Sequence, residues 1–271
     1  ENFTENFVSW GCTDMFQAIH ESIYDSGEIE PYRAGGTFRP GRAAVLISKA
    51  TDYNERREAL DPAQDPFMKM CGNAPSKPKG KTQAEQVTIG RLDQQLLYLA
   101  LKHDQLAVDL LTEEDVLEGR LKGYDVLYCA GQWIDHRVPP VLETWVKDGG
   151  ILYASAGLGH KNEFDEPDAG LAGVLGVKTG AMRRNALTLR PFMELAIVDP
   201  IDTITMGEKK IPAIALRQEL VTDSAKVLGT WADGKPAVTV RELGKGKAFA
   251  VGTAAGHTYY KTGLHKTLRE F

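Results

Sequence analysis

The stretch ILYASAGLGHKN, residues 151–162, places an apolar run directly before a glycine-rich turn. The run ends at Ser155, glycines follow at Gly157 and Gly159, and polar residues come next. Short apolar runs bounded by glycine are typical of the inner strands of parallel sheets, so the stretch predicts a buried strand that ends in a tight turn. In many enzymes a nucleophile stands at such a junction.

Alternating strands and helices are predicted around this stretch. Apolar runs predict strands at 43–48, 105–111 and 124–130, and apolar residues spaced by three and four predict helices at 87–103 and 139–150. Repeated units of this kind, with strands apolar throughout, predict a mostly parallel sheet with helices on both faces.

The second half of the chain predicts a different arrangement. Asp233-Gly234 and Gly244-Lys245-Gly246 have the composition of hairpin turns and divide residues 225–253 into strand-like segments. We expect these strands to form an antiparallel extension, either on the same sheet or beside it.

The N-terminal residues predict a separate helical arm. Met15, Phe16, Ile19 and Ile23 stand at helical spacing within residues 10–25, and a connector rich in proline and glycine follows at 30–42. We therefore interpret residues 1–40 as an arm and linker and residues 41–271 as the main domain.

Residues 61–86 form a long segment without periodicity, rich in Pro, Gly and Lys. Loops of this length in compact domains are usually functional or disordered. The segment leaves near the carboxyl end of the first predicted strand, where open α/β sheets bind ligands. A lid, a packed surface loop and disorder all remain open.

Composition excludes several classes of partner. Of the 271 residues 42% are hydrophobic and 25% charged, and the net charge of −5 gives no electrostatic case for nucleic acid or an anionic membrane. Cys12, Cys71 and Cys129 fit neither a disulfide framework nor a metal motif, so we predict no metal and no cofactor. The chain starts at Glu1 and stops at Phe271 within an amphipathic stretch, which suggests a processed or truncated protein; the compartment is left open.

Within residues 88–178 the segments VDLL, YDVLYCAG, WVKDGG, NEFDE and GVLGV follow one another in this order, and GKPAVTVRELGKGKAFAVGT comes later in the chain. In order and spacing these segments resemble the trimerisation domain of microbial β-galactosidases, which belongs to the class I glutamine-amidotransferase-like superfamily. The resemblance covers roughly residues 40–255. It implies a flavodoxin-like, mostly parallel sheet with an antiparallel strand extension. It also implies a homo-oligomer and a neighbouring TIM-barrel glycosidase domain, whose paired catalytic carboxylates have no counterpart singled out in this chain.

The resemblance also tests the junction at 151–162. In active amidotransferases a cysteine occupies the middle of G-x-C-x-G on a strained turn. Setting Leu158-Gly159-His160 against the L-G-H of that motif puts Gly157 at the nucleophile position, with Ser155 two residues too early. Glycine has no side chain to attack a substrate, so we predict no amidotransferase activity.

Other residues near the predicted strand ends have two interpretations each. Cys129 is either a displaced nucleophile paired with His160 or an inert buried thiol. The inert thiol is favoured because the sequence places no cation near Cys129 that would lower its pKa. Trp133 is a platform for a sugar ring or a core residue. His257 stands near the place of the amidotransferase histidine, but Tyr259 replaces the acid expected two residues on.

We therefore name no catalytic residue and keep six candidates for a ligand pocket: Cys129, Trp133, Ser155, Gly157, His160 and His257. The first hypothesis is a non-catalytic accessory or oligomerisation domain, a pseudoenzyme, of a carbohydrate-active protein similar to β-galactosidase. The second is a stand-alone hydrolase or sugar-binding protein that uses the crevice at the carboxyl ends of the strands.

Overall fold

The computed structural model describes residues 13–37, 40–59, 89–155, 157–184 and 200–259. Contacts divide the chain into two units, Glu1–Pro40 and Gly41–Phe271. The segment 61–86, and with it the question of a lid, lies outside the described residues. None of the described helices combines the length and the apolar character that crossing a membrane would require.

The first unit contains helix α1, Thr13–Arg33, in which no described residue is buried. The prediction of a helix near residues 10–25 is confirmed, but the helix continues into what we interpreted as a connector. Residues 26–30 include Glu28 and Glu30, which are good helix formers, and Pro31 falls in the last turn, where its missing N–H removes one helical hydrogen bond close to the end of the helix.

The second unit alternates strands and helices over its first half and is mainly strands after that. Its strands are β1 Ala43–Ile47, β2 Val108–Thr112, β3 Val126–Cys129, β4 Ile151–Ala154, β5 Val177–Arg184, β6 Asp202–Met206, β7 Lys209–Ala213, β8 Leu216–Thr222, β9 Lys226–Trp231, β10 Pro236–Leu243 and β11 Gly246–Val251. Its helices are α2 Lys49–Ala59, α3 Ile89–His103, α4 Glu113–Leu117, α5 Val138–Lys147, α6 Gly170–Leu175 and α7 Ala255–Tyr259, with a 3-10 turn at Arg120–Gly123.

Most strands join one nine-stranded sheet in the order β2-β1-β3-β4-β11-β10-β9-β6-β7. Strands β2, β1, β3, β4 and β11 run parallel, and the strands from β10 to β7 are antiparallel. The predicted α/β architecture with an antiparallel extension is confirmed. Strands β5 and β8 pair separately as a two-stranded antiparallel sheet.

Strand β11 differs from the expectation. Its hairpin with β10 was predicted, but its other edge pairs in parallel with β4, where Lys247 lies opposite Ile151. The turn residues reveal only the local hairpin, whereas the pairing with β4 depends on residues far away in the chain. Strand β11 is thus the single described connection between the two halves of the sheet.

The two faces of the parallel strands are packed differently. Leu127, Leu152 and Ala248 lie in register on one face, and each is 0% exposed beneath α5 and α6. The next row, Tyr128, Tyr153 and Phe249, points to the opposite face and is only half-buried. This alternation follows from the two-residue period of a strand.

Local capping fixes where helices begin. Thr112 ends β2 and caps α4: its hydroxyl accepts from the Asp115 amide at 3.3 Å, and the Asp115 carboxylate accepts from the Thr112 amide at 2.8 Å. This reciprocal capping box fixes the start of α4 at Glu113.

Candidate functional site

The carboxyl ends of the parallel strands meet at one edge of the sheet. Strand β1 lies between β2 and β3, so the chain leaves β1 toward one side and later returns on the other. A crevice forms at such a reversal, and it is where α/β sheets usually bind ligands. Ser48, Gly131, Ser155 and Thr253 follow β1, β3, β4 and β11 there.

Two of the predicted candidates, Ser155 and His257, are brought together by a third residue that the sequence analysis missed. The Ser155 hydroxyl donates to Asp93 Oδ2 at 2.6 Å, and His257 Nδ1 lies 3.1 Å from Asp93 Oδ1. The His257 amide donates to the same carboxylate at 3.2 Å. Asp93 is 1%, His257 2% and Ser155 3% exposed, so α3, β4 and α7 are joined by a buried polar cluster.

The order of groups in this cluster is wrong for nucleophilic catalysis. In a serine hydrolase the histidine lies between serine and acid and takes the hydroxyl proton. Here Asp93 lies between them, so the Ser155 proton points to a carboxylate and away from the imidazole. A carboxylate only accepts, so Nδ1 carries the imidazole proton, and Nε2 has no partner among the described residues.

The turn after β4, which we call the elbow, carries a glycine in the left-handed backbone region. Gly157 has φ +92°, and a Cβ built there would lie 2.8 Å from Gln132 Cγ. Its amide donates to Gln218 Oε1 at 2.9 Å. A side chain at this position would therefore be strained and would collide with Gln132. The Gln132 side chain in turn accepts from Arg184 of β5.

Glu113, just after β2, closes the other side of the crevice. Its carboxylate accepts from the Ser48 hydroxyl at 2.9 Å and from the amides of Lys49, Ala50 and Asp135 at 3.0, 3.2 and 3.1 Å. These contacts satisfy the N-terminus of α2. Burial raises the pKa of Glu113 in spite of them.

Trp133 and Cys129 are enclosed. Trp133 is 0% exposed; its indole donates to Asp165 Oδ1 at 2.7 Å, and Lys161 Nζ lies 5.4 Å from the ring centre. Stacking on a sugar would need the turn that carries Lys161 and Asp165 to move. Cys129 is also 0% exposed, and burial raises the pKa of its thiol, which disfavours the reactive thiolate.

His160 lies apart from the cluster, at the edge of a cavity of about 270 Å³ between α6 and the start of β5. Its Nδ1 lies 3.4 Å from the Thr179 hydroxyl, and Asp168 and Lys178 also line the cavity. The Asp168 carboxylate accepts from the Gly170 amide at 2.8 Å. Among the side chains of the six candidates, only those of Ser155 and His257 share a hydrogen-bond partner in the described structure, the Asp93 carboxylate.

Asp135, His136 and Glu163 are the group of described residues that offers ligand atoms for a cation, all within 4.8 Å of one another. Each already has a partner: His136 Nδ1 lies 2.6 Å from Glu163 Oε1, and Arg137 Nη2 lies 2.6 Å from Asp135 Oδ2. The side chains of Asp135, His136 and Glu163 therefore already form contacts with one another and with Arg137 at the surface.

Asp93 had one signal in the sequence that would have identified it. It lies four residues after Ile89 and four before Leu97, on the apolar face of α3. A carboxylate on a helix face that enters the core is rarely buried without partners. Gln218 had no comparable signal, because it lies in a strand with polar residues on both sides.

Comparison with known proteins agrees with this geometry. The family model described as β-galactosidase trimerisation domain matches residues 82–270. A search of curated proteins found no match. Among solved structures, the β-galactosidase of Rahnella sp. R3 has a TM-score of 0.60 at 20% identity, covering 93% of this chain and 35% of its own.

Two further structures are similar in the same way. The β-galactosidase of Halorubrum lacusprofundi has a TM-score of 0.59 at 15% identity, covering 87% of this chain and 31% of its own. The exo-β-1,4-mannosidase Op5Man5 of Opitutaceae bacterium strain TAV5 has a TM-score of 0.52 at 14% identity, covering 92% and 37%. The chain thus spans about a third of the length of these proteins, and likeness at these identities shows the fold alone.

Proposed function

Because the chain belongs to the β-galactosidase trimerisation domain family, we propose that it is a non-catalytic accessory domain that assembles a β-galactosidase of glycoside hydrolase family 42. The observation that carries the non-catalytic part is the elbow after β4. Gly157, which the resemblance sets at the nucleophile position, has no side chain, and the buried hydroxyl of Ser155 is hydrogen-bonded to the Asp93 carboxylate. Neither nucleophile nor base is available there.

The assembly part rests on the family. Its members are named for trimerisation, and the solved relatives are about three times as long as this chain. We infer that the domain forms a homotrimer and works beside a TIM-barrel glycosidase domain, which carries the two carboxylates that hydrolysis needs. The carbohydrate substrate then binds to that neighbouring domain.

We also infer an amidotransferase-like, flavodoxin-like ancestry for the parallel half. The order β2-β1-β3-β4-β11 corresponds to the flavodoxin-like order of parallel strands. The sequence resemblance sets Gly157 after β4 at the place of the amidotransferase cysteine and His257 after β11 near the place of its histidine. These features support descent from an active enzyme, which makes the domain a pseudoenzyme.

Sedimentation equilibrium on the purified chain tests the assembly. We expect a species of three times the chain mass, populated increasingly with concentration. A monomer at high concentration would contradict an intrinsic trimerisation role.

Catalysis is tested separately. The chain alone should hydrolyse neither a nitrophenyl β-galactoside nor glutamine above the buffer rate. Turnover that disappears in Ser155→Ala would instead support the stand-alone hydrolase. The burial of Ser155, which is 3% exposed, argues against that outcome.

A further inference from the structure

A groove with a volume of about 590 Å³ lies at the amino ends of β3 and β4, and residues of the 3-10 turn and of α5 line it. Its lining combines two aromatic side chains, those of Tyr124 and Trp145, with the polar side chains of Lys122, Thr144 and Asp148. Ligand sites in proteins typically have volumes of about 300–1,000 Å³ and combine apolar or aromatic walls with a few polar groups. The groove therefore has the size and the composition of a site for a small ligand.

Trp145 differs from the two other tryptophans that the structure describes. Trp133 is 0% and Trp231 is 1% exposed, whereas Trp145 is half-buried and lines the groove. An indole stacks on a ligand only where part of its ring is accessible. Among the described tryptophans, Trp145 is thus the one that can contact a ligand without a rearrangement of its surroundings.

The Trp145 indole is held in a fixed position by the backbone around it. A Cβ built on Gly150 would lie 2.3 Å from Cε2 and 2.4 Å from Cδ2 of the indole. These two carbons form the bond shared by the fused rings, so Gly150 approaches them over one face of the indole. The Nε1 of Trp145 donates to the Tyr124 carbonyl at 3.3 Å. The ring is therefore a preorganised platform, and little side-chain entropy is lost when a ligand binds to it.

The polar groups of the groove favour a neutral ligand. Lys122 and Asp148 are exposed and carry opposite charges, and neither side chain has a hydrogen bond or an ion pair with a described residue. The third charged residue of the lining, Asp125, is paired with Arg42. The Thr144 hydroxyl donates to a carbonyl of its own helix at 3.1 Å and can still accept from a ligand. The groove thus offers a donor and two acceptors without a net charge that would attract an ion.

We propose that this groove binds a carbohydrate, with the Trp145 indole stacked on the apolar face of a sugar ring. A pyranose has C–H groups on its faces and hydroxyl groups around its rim, which matches an aromatic platform flanked by separate donors and acceptors. The choice of a carbohydrate over another neutral ligand rests on the proposed function, in which the parent enzyme acts on β-galactosides. The site itself goes beyond that function, which assigns this chain no ligand.

Titration of the purified chain with β-1,4-linked galactobiose tests the site. The indole N–H signals are followed in two-dimensional proton–nitrogen NMR spectra, and the signal that is missing in Trp145→Phe identifies Trp145. We expect this signal to shift with a dissociation constant of about 1 mM, as for a small ligand on an open surface.

Two variants and a matched control locate the bound sugar. Trp145→Ala removes the platform and should weaken binding by about tenfold or more. Asp148→Ala removes an exposed acceptor but keeps the ring, and should weaken binding about threefold, so the test holds even if Trp145→Ala does not fold. Glu143→Ala removes a carboxylate from the same helix outside the groove and should change the dissociation constant by less than about twofold.

A Trp145 signal that does not move with galactobiose would overturn the proposal. Equal affinities of the unmodified chain and both groove variants would also overturn it, because the sugar would then bind elsewhere. Loss of the trimer in Trp145→Ala, with no sugar binding by the unmodified chain, would show that the groove is a contact between copies of the chain. A trimer that binds no sugar contradicts this inference alone, whereas a monomer that binds sugar contradicts only the assembly part of the proposed function.

Discussion

The crevice at the carboxyl ends of the strands contrasts with the sheet face that carries Tyr128, Tyr153 and Phe249, which we call the concave face. In the crevice, polar side chains are buried and hydrogen-bonded to one another, so Asp93, Ser155 and His257 act as parts of the framework. The concave face is apolar and half-open. The comparison teaches that residues of catalytic type are not by themselves evidence of catalysis: what matters is whether they are exposed and in which order they are bonded.

The largest expected effect comes from Asp93. Asp93→Ala leaves His257 Nδ1 buried without its acceptor and removes the closer of two acceptors of the Ser155 hydroxyl, which keeps only the Thr253 carbonyl at 3.1 Å. We expect a loss of about 3 kcal/mol in the free energy of unfolding. Urea denaturation measures this. Gln95→Ala, on the exposed side of the same helix, should change it by less than about 0.5 kcal/mol. Equal effects would show that the cluster is not a framework.

Gly157→Ala should have the next largest effect. The φ of +92° and the contact with Gln132 predict a loss of about 2 kcal/mol. Gly173→Ala is the matched control, because no atom lies within 4 Å of its added Cβ and alanine favours the helix. A Gly157→Ala protein as stable as the parent would mean that the elbow tolerates a side chain.

Glu113 predicts a pH dependence within the crevice. Its folded pKa is raised by burial, so the folded state binds the proton more tightly. The parent should therefore lose stability relative to Glu113→Gln as pH rises from the ordinary glutamate pKa through the raised one. Urea unfolding between about pH 2 and pH 7, a range that extends to both sides of the ordinary glutamate pKa, measures the difference.

Glu114 is the control with the opposite sign. The hydrogen bond from Lys49 lowers its pKa, so the parent should lose stability relative to Glu114→Gln as pH falls through that lowered value. If the stability difference from the parent changed with pH in the same direction for Glu113→Gln and Glu114→Gln, the opposite pKa shifts of the two glutamates would be contradicted.

The smallest effect is expected on the concave face. Leu228→Ala should cost about 1 kcal/mol or less, because the side chain is 36% exposed in the described structure. Leu152→Ala, on the buried face of β4, should cost about 3 kcal/mol. Similar losses in the free energy of unfolding for the two variants would show that the two faces of the sheet are equally buried.

The elements that were predicted correctly from the sequence are those that neighbouring residues determine. Apolar runs identified β1 to β4, and turn glycines identified the hairpin of β10 and β11. Helix α2 was missed, because its residues are mostly polar and show no apolar stripe. The parallel pairing of β11 with β4 was missed because no local pattern encodes a partner strand.

The candidate site was harder to predict for the same reason. Ser155 and His257 were identified individually from their places after strands, but Asp93 belongs to a helix far from both in the chain. The burial of Trp133 depends on Lys161 and Asp165, which fold back over the indole. Residues next to Trp133 in the sequence therefore give no signal that predicts its burial.

The position of β11 has a consequence for synthesis on the ribosome. Strands β2, β1, β3 and β4 pair with one another early, but the sheet cannot join its antiparallel half until residues 246–251 have left the exit tunnel. Until then the edge of β4 is an unpaired strand open to other chains. Pauses in translation before β11 would prolong this exposure, so co-translational aggregation should depend on the codons of the last strand.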